Sequence, residues 1–170
     1  MKSKKNLVFL GMMGSGKSSI GLIISKKLDI DFIDIDQKIE KKLGTKISDI
    51  FEKKGEKYFR EVEETTTLEV LKKSKVVISL GGGAFLNNKI KKEILENHIS
   101  FWLNWETKTL VDRIKDSKKR PIAFSSSTND LAKLIKKRSI VYSKAMYKID
   151  CENLTKNEIV GNVLKVYEAH

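Results

Sequence analysis

Gly11-Met12-Met13-Gly14-Ser15-Gly16-Lys17-Ser18 decides the fold of this 170-residue chain, because it matches the pattern G-x-x-x-x-G-K-[ST] in the setting that gives the pattern physical meaning. Ahead of it lies the apolar run Leu7 to Leu10, of strand length, and behind it the amphipathic stretch Lys17 to Leu28, of helix length. In a strand-loop-helix unit of this kind the glycines let backbone N–H groups turn inward around phosphate oxygens. The helix N-terminus adds the positive end of its dipole. Lys17 can then reach a transferred phosphate, and the Ser18 hydroxyl can ligate magnesium. The alternative is a glycine-rich turn that holds no nucleotide.

Outward from this unit, short apolar runs alternate with longer helical patterns. Leu7 to Leu10, Phe32 to Ile35, Val76 to Leu80, Ser100 to Leu103 and Lys148 to Cys151 read as five strands. Unbroken runs separated by helices predict a three-layer α/β domain whose central parallel sheet is covered on both faces. The last helix has a start signal in Thr155 and Glu158, at capping-box spacing before Ile159, Val163 and Val166. Two stretches depart from the alternation. Residues 36–73 read as a helical insert broken near Gly44 and Gly55, and 117–130, with the serine-rich KKRPIAFSSSTN, reads as a surface loop or lid. The whole chain, 1–170, is expected to form one domain.

Net charge is +12, but lysines are scattered along every helical pattern, as in Lys26-Lys27, Lys41-Lys42 and Lys91-Lys92, so they predict solvated faces with no single basic stripe. No array of aromatic and basic residues of the kind that stacks bases is present, and nucleic acid is not expected as a partner. No apolar run approaches the ~20 residues of a spanning helix, and the N-terminal run is too short for a signal peptide, so a cytoplasmic protein with no membrane role is expected. The single cysteine, Cys151, excludes an intramolecular disulfide and reads as a small core residue at a strand end.

Arginine is the informative count. Only four of 34 basic residues are arginine, at 60, 113, 120 and 138, which suggests positions where a planar fork for carboxylate or phosphate is needed. For any one of them the alternative is a solvated surface charge. Glu63 stands three residues after Arg60 and can hold its guanidinium. Asp34 and Asp36 would share a side if the second strand stays extended, one beside a hydrated metal and the other orienting or deprotonating a hydroxyl. Alternatively, Asp36 caps the following helix. Three consecutive glycines, Gly81, Gly82 and Gly83, imply a close approach to the backbone, by a ligand ring or by a tight turn.

In their order and spacing, these elements resemble the shikimate kinase family over nearly the whole chain. The likeness rests on GMMGSGKSS, Asp34-Ile35-Asp36, Asp49-Ile50-Phe51, Phe59-Arg60 with Glu63, Leu80-Gly81-Gly82-Gly83-Ala84, Arg120-Pro121, and Arg138 followed by Tyr142 and Ala145. It implies a monomeric P-loop kinase fold acting on MgATP and shikimate. Gly14, Ser15, Gly16, Lys17, Ser18 and Ser19 would wrap the ATP phosphates. Ser18 would bind magnesium directly and Asp34 through water. Asp36 would grip the substrate hydroxyls as base or orienting group, and Arg60, Arg138 and the Gly81 to Gly83 backbone would bind shikimate, with Phe51 and Phe59 shaping its pocket. Arg120 would swing in with the lid and Arg113 would lie against adenine. A kinase for another hydroxy acid, such as gluconate, would share the loop and lid but lack the Asp36, Arg60 and triple-glycine set. A GTPase reading lacks an N-K-x-D motif.

Overall fold

The computed structural model describes residues 5–115 and 127–170. Strand β1 (Leu7–Leu10) is buried throughout and pairs in parallel with β3 (Val76–Ser79) on one side and β4 (Ile99–Asn104) on the other. With β2 (Asp31–Asp34) and β5 (Tyr147–Asp150) they form a five-stranded parallel sheet of order β2-β3-β1-β4-β5. Among the described residues the α-helices are α1 (Lys17–Leu28), α2 (Ile35–Leu43), α3 (Ile47–Leu71), α4 (Asn88–Asn97), α5 (Thr107–Lys115), α6 (Thr128–Tyr142) and α7 (Lys156–Glu168).

Alternation along β1 assigns the layers, since successive side chains point to opposite faces. Leu7 and Phe9 pack with Ile20 and Ile24 of α1 and with Ile159 and Val163 of α7. Val8 and Leu10 pack instead with residues of α2, α3, α4, α5 and α6. On the first face Phe9, Phe101 and Tyr147 stack across three neighbouring strands, with centroids 5.5 and 5.4 Å apart. Gly21 seats α1 on the sheet: a Cβ there would lie 2.7 Å from the Phe32 ring, so a larger residue would lift the helix. Buried Asn6 joins the end of α3 to β3, its amide donating to the Lys73 carbonyl at 2.8 Å and its carbonyl accepting from Val76 N–H at 3.0 Å.

The expected α/β class and central parallel sheet are found, as is the helical stretch after β2. Gly44 caps α2, and Gly55, at φ 81°, kinks α3. The Thr155 and Glu158 capping box opens α7. Cys151 is buried, and burial pushes its thiol up to about 12. No helix among the described residues is long and apolar enough to cross a membrane.

Two expectations are corrected. β2 ends at Asp34 and Ile35 already begins α2, so Asp34 and Asp36 are not neighbours on an extended strand. The cap of that helix is Asp34, whose carboxylate accepts from Gln37 N–H at 3.1 Å, while Asp36 lies in the first turn. The stretch expected as a lid through residue 130 ends earlier. Ser127 and Asp130 form a reciprocal capping box, and Thr128 starts α6, so the end of the serine run is a helix start signal. The remainder of that stretch, including Arg120 and Pro121, lies outside the described residues.

Candidate active site

The site lies at the carboxyl ends of β1, β2 and β3, where open parallel sheets leave a crevice. Leaving β1, the chain turns through Gly14 and Gly16, at φ 77° and 90°, a left-handed conformation that favours glycine. Gly16 then caps α1, whose first N–H groups face the loop. Lys17 is buried within the turn, its Nζ donating to the carbonyls of Gly11 at 3.0 Å and Met12 at 2.9 Å. The Ser18 hydroxyl donates to Asp34 and lies 3.3 Å from the Ser79 hydroxyl at the end of β3. Ser19 donates to the Gly16 carbonyl at 3.1 Å.

Serine and carboxylate oxygens from three elements thus converge beside the phosphate loop. They are hard donors, few in number, and suit a magnesium ion that keeps several waters and takes further ligands from phosphate.

The triple glycine after β3 borders both halves of the site. A Cβ on Gly82 would stand 3.5 Å from Met13 N, so this turn packs directly on the phosphate loop. The same Cβ would lie 3.5 Å from an Arg138 Nη, and one on Gly83 would meet the Arg60 guanidinium, with Cζ at 2.8 Å. Two guanidinium groups, carried by α6 and α3, therefore lie against consecutive glycines. A Cβ on Gly81 would come within 2.6 Å of Glu63 Oε1 and 2.8 Å of Asp36 Oδ1. Close approach is what these glycines permit; the approaching groups are the charged side chains of the site itself.

Burial gives these charges their character. Glu63 is 2% exposed and accepts from Arg60 at 2.6 Å, while Glu56 holds the guanidinium from its outer side at 3.3 Å. Burial pushes the Glu63 carboxyl above its ordinary range, against the pull of Arg60 and with a contribution from Asp36. Burial acts to lower Arg60, but the charge and hydrogen bond of Glu63, aided by Glu56, outweigh it and hold the guanidinium above its ordinary value. Phe59 backs it, with Arg60 Cζ 5.2 Å from the ring centroid and Phe51 packed against Phe59 at 4.7 Å.

Arg138 is 6% exposed, and its Nε has no hydrogen-bond partner among the described residues. Its Nη1 lies 3.7 Å from Met12 Sδ. One turn further on, the Tyr142 hydroxyl donates to the Gly82 carbonyl, and burial pushes its pKa up to about 12.

On the other side of the loop, Arg113 donates to the Gly14 carbonyl at 3.2 Å and lies over Trp105, 3.8 Å from its centroid. Both line a cleft of about 380 Å³ together with Gly14, Ser15, Leu154 and Lys156. Arg113, expected against adenine, lines this cleft, and Trp105 was not among the expected site residues. The available signal was an indole two residues past the fourth apolar run, at the carboxyl end of a parallel strand.

The family model described as Shikimate kinase matches residues 13–168. A relative from Thermodesulfovibrio yellowstonii, named Shikimate kinase, is 38% identical over 165 residues, 96% of this chain and 95% of its own length. The solved shikimate kinase from Acinetobacter baumannii in complex with shikimate superposes with a TM-score of 0.92 at 27% identity, over 99% of this chain and 95% of that one. A gluconokinase from Sinorhizobium meliloti reaches a TM-score of 0.60 at 16% identity, over 99% of this chain and 94% of its own, a likeness of fold alone. The match of nearly the whole chain, beside the residues gathered at its sheet ends, makes this protein a member of the shikimate kinase family.

Proposed function

We propose that this chain transfers the terminal phosphoryl group of ATP to the 3-hydroxyl of shikimate, giving shikimate 3-phosphate and ADP, a step in aromatic amino acid biosynthesis. The observation that carries this reading is the pair of guanidinium groups on Gly82 and Gly83, one of them buried with an unpartnered Nε, beside the phosphate loop. A rigid acceptor with a carboxylate at one end and hydroxyls at the other fits there. Arg60 and Arg138 would take the carboxylate, in charge-assisted bonds that favour a planar anion. The hydroxyls would face Asp36, which approaches Gly81.

In the transfer, the acceptor oxygen forms its bond to the γ-phosphorus as the bond to the ADP oxygen breaks. Asp36 orients the hydroxyl and accepts its proton. Lys17, with the N–H groups of Gly14, Ser15 and Gly16, holds the phosphates, and Arg120 joins them in this proposal. Positioning and fixed charge supply most of the rate enhancement in reactions of this type. Ser18 and Asp34 would hold magnesium, which when bound neutralises charge on the phosphates.

The reading includes a single domain with residues 36–73 as the acceptor-binding insert, and a monomer working in the cytoplasm without nucleic acid. The test is ADP release from MgATP with shikimate or gluconate as acceptor. Shikimate-dependent release is expected; equal release with both, or with neither, would remove the assignment.

A further inference from the structure

Trp105 stands outside every motif that carries the site, yet it touches the phosphate loop directly. It follows β4, and its indole N–H donates to the Ser15 carbonyl at 2.9 Å. Its ring face carries the Arg113 guanidinium at 3.8 Å, and that guanidinium donates to the Gly14 carbonyl at 3.2 Å. One stacked indole-guanidinium pair therefore holds two consecutive carbonyls of the loop from outside.

The consequence follows from peptide geometry. A trans peptide points its C=O and N–H in opposite directions, and no cis bond is present among the described residues. With the Ser15 carbonyl drawn outward to Trp105, the N–H of Gly16 faces the other way, at the start of α1 where an anion is favoured. Gly16, at φ 90°, has no side chain of its own to bias that peptide plane. The indole supplies the bias. It also fixes Arg113 flat on its face, turning a freely rotating cation into one of defined position at the edge of the nucleotide cleft.

Resting on the phosphoryl-transfer reading above, we infer that Trp105 is a positioning residue for the nucleotide, acting through the Ser15 carbonyl and Arg113 and taking no part in acceptor binding. Trp105→Phe keeps an aromatic face for Arg113 and removes the donor; Trp105→Leu removes both. The expected result is an ATP KM raised about three- to tenfold in the phenylalanine variant, the worth of one neutral hydrogen bond, and further in the leucine variant. The shikimate KM and kcat stay within about twofold of wild type, because the interaction is made equally in ground and transition states. A general loosening of the fold would instead move both KM values together.

The wild-type protein gives an independent reading. Of its two indole N–H resonances, the one missing from Trp105→Phe belongs to Trp105, and ADP shifts it more than shikimate does. Unchanged ATP KM in both variants, parallel shifts of the two KM values, or an indole signal indifferent to ADP overturns the assignment and leaves phosphoryl transfer standing. A wild-type protein that releases no ADP in response to shikimate overturns the function on which the inference rests.

Discussion

The two halves of the site are built from different materials. The nucleotide half is largely one contiguous strand-loop-helix unit whose donors are backbone N–H groups, one buried lysine and one serine. The half proposed for the acceptor gathers side chains from α2, α3 and α6 around three glycines, with Glu63 on Arg60, Arg60 on Gly83 and Arg138 on Gly82. A backbone cradle depends on few side chains, whereas in a knot of buried charges each member bears on the others. Replacements in the first should therefore act on ATP and its transfer with little effect on acceptor affinity, and replacements in the second should act on the acceptor with little effect on the ATP KM.

Lys17→Ala tests the first half. Removing the single cation buried in the loop is expected to lower kcat by roughly 10²–10³-fold, the scale seen when one preorganised donor to developing charge is lost. Shikimate affinity and the unfolding midpoint should stay near wild type, and near-normal turnover would contradict the role assigned to Lys17.

Gly81→Ala tests the second half from the backbone side. The new methyl group would fall 2.6 Å from Glu63 and 2.8 Å from Asp36, so both carboxylates must shift. A displacement of this size next to the reacting hydroxyl is expected to reduce kcat/KM for shikimate by roughly 10²-fold, with the ATP KM unchanged. If both KM values rise in parallel, the two halves are not separable in the way described.

Arg60→Lys preserves charge but replaces a fork held by Glu63 and Glu56 with a single ammonium. Acceptor binding should weaken by roughly 1.5–3 kcal/mol, measured by calorimetry with ADP present. An unaltered affinity would take Arg60 out of the site.

The same division explains what the sequence made legible. The phosphate loop was readable because its residues are adjacent and each spacing has a backbone reason. The three inner strands were readable because a doubly covered sheet requires unbroken apolar runs, whereas the edge strands β2 and β5 are partly exposed and carry shorter apolar stretches, and strand ends shift by a residue or so. At β2 that residue mattered: Asp34 caps α2 and Asp36 enters the site from a helix, which strand alternation could not reveal. The convergence of Arg60 and Arg138 on neighbouring glycines was reachable only through family likeness, since no local pattern links positions 60, 83 and 138. Trp105 escaped altogether, because its partner Ser15 is 90 residues away and an indole near a strand end resembles any core aromatic.

The smallest effect, and the finest test of the acceptor half, concerns what Glu63 costs the fold. Burial raises its carboxyl above the ordinary range against the pull of Arg60, so burial disfavours its ionised form in the fold. A group raised in this way contributes stability that is fully present below its unfolded pKa, near the usual 4.3, and is lost as pH rises through its folded value. Glu63→Gln removes that titration. The variant should melt a few degrees higher than wild type at pH 7.5, and the gap between the two midpoints should narrow as the pH is lowered. Arg60 keeps Glu56 as a partner on its exposed side, while buried Arg138 loses the nearby Glu63 charge. The gain in stability should come with weaker acceptor binding, since a neutral amide holds the guanidinium less firmly than a carboxylate does. A variant that melts lower at pH 7.5 would mean that the bond to Arg60 outweighs burial, and that the acceptor half is held together by its charges rather than held under tension by them.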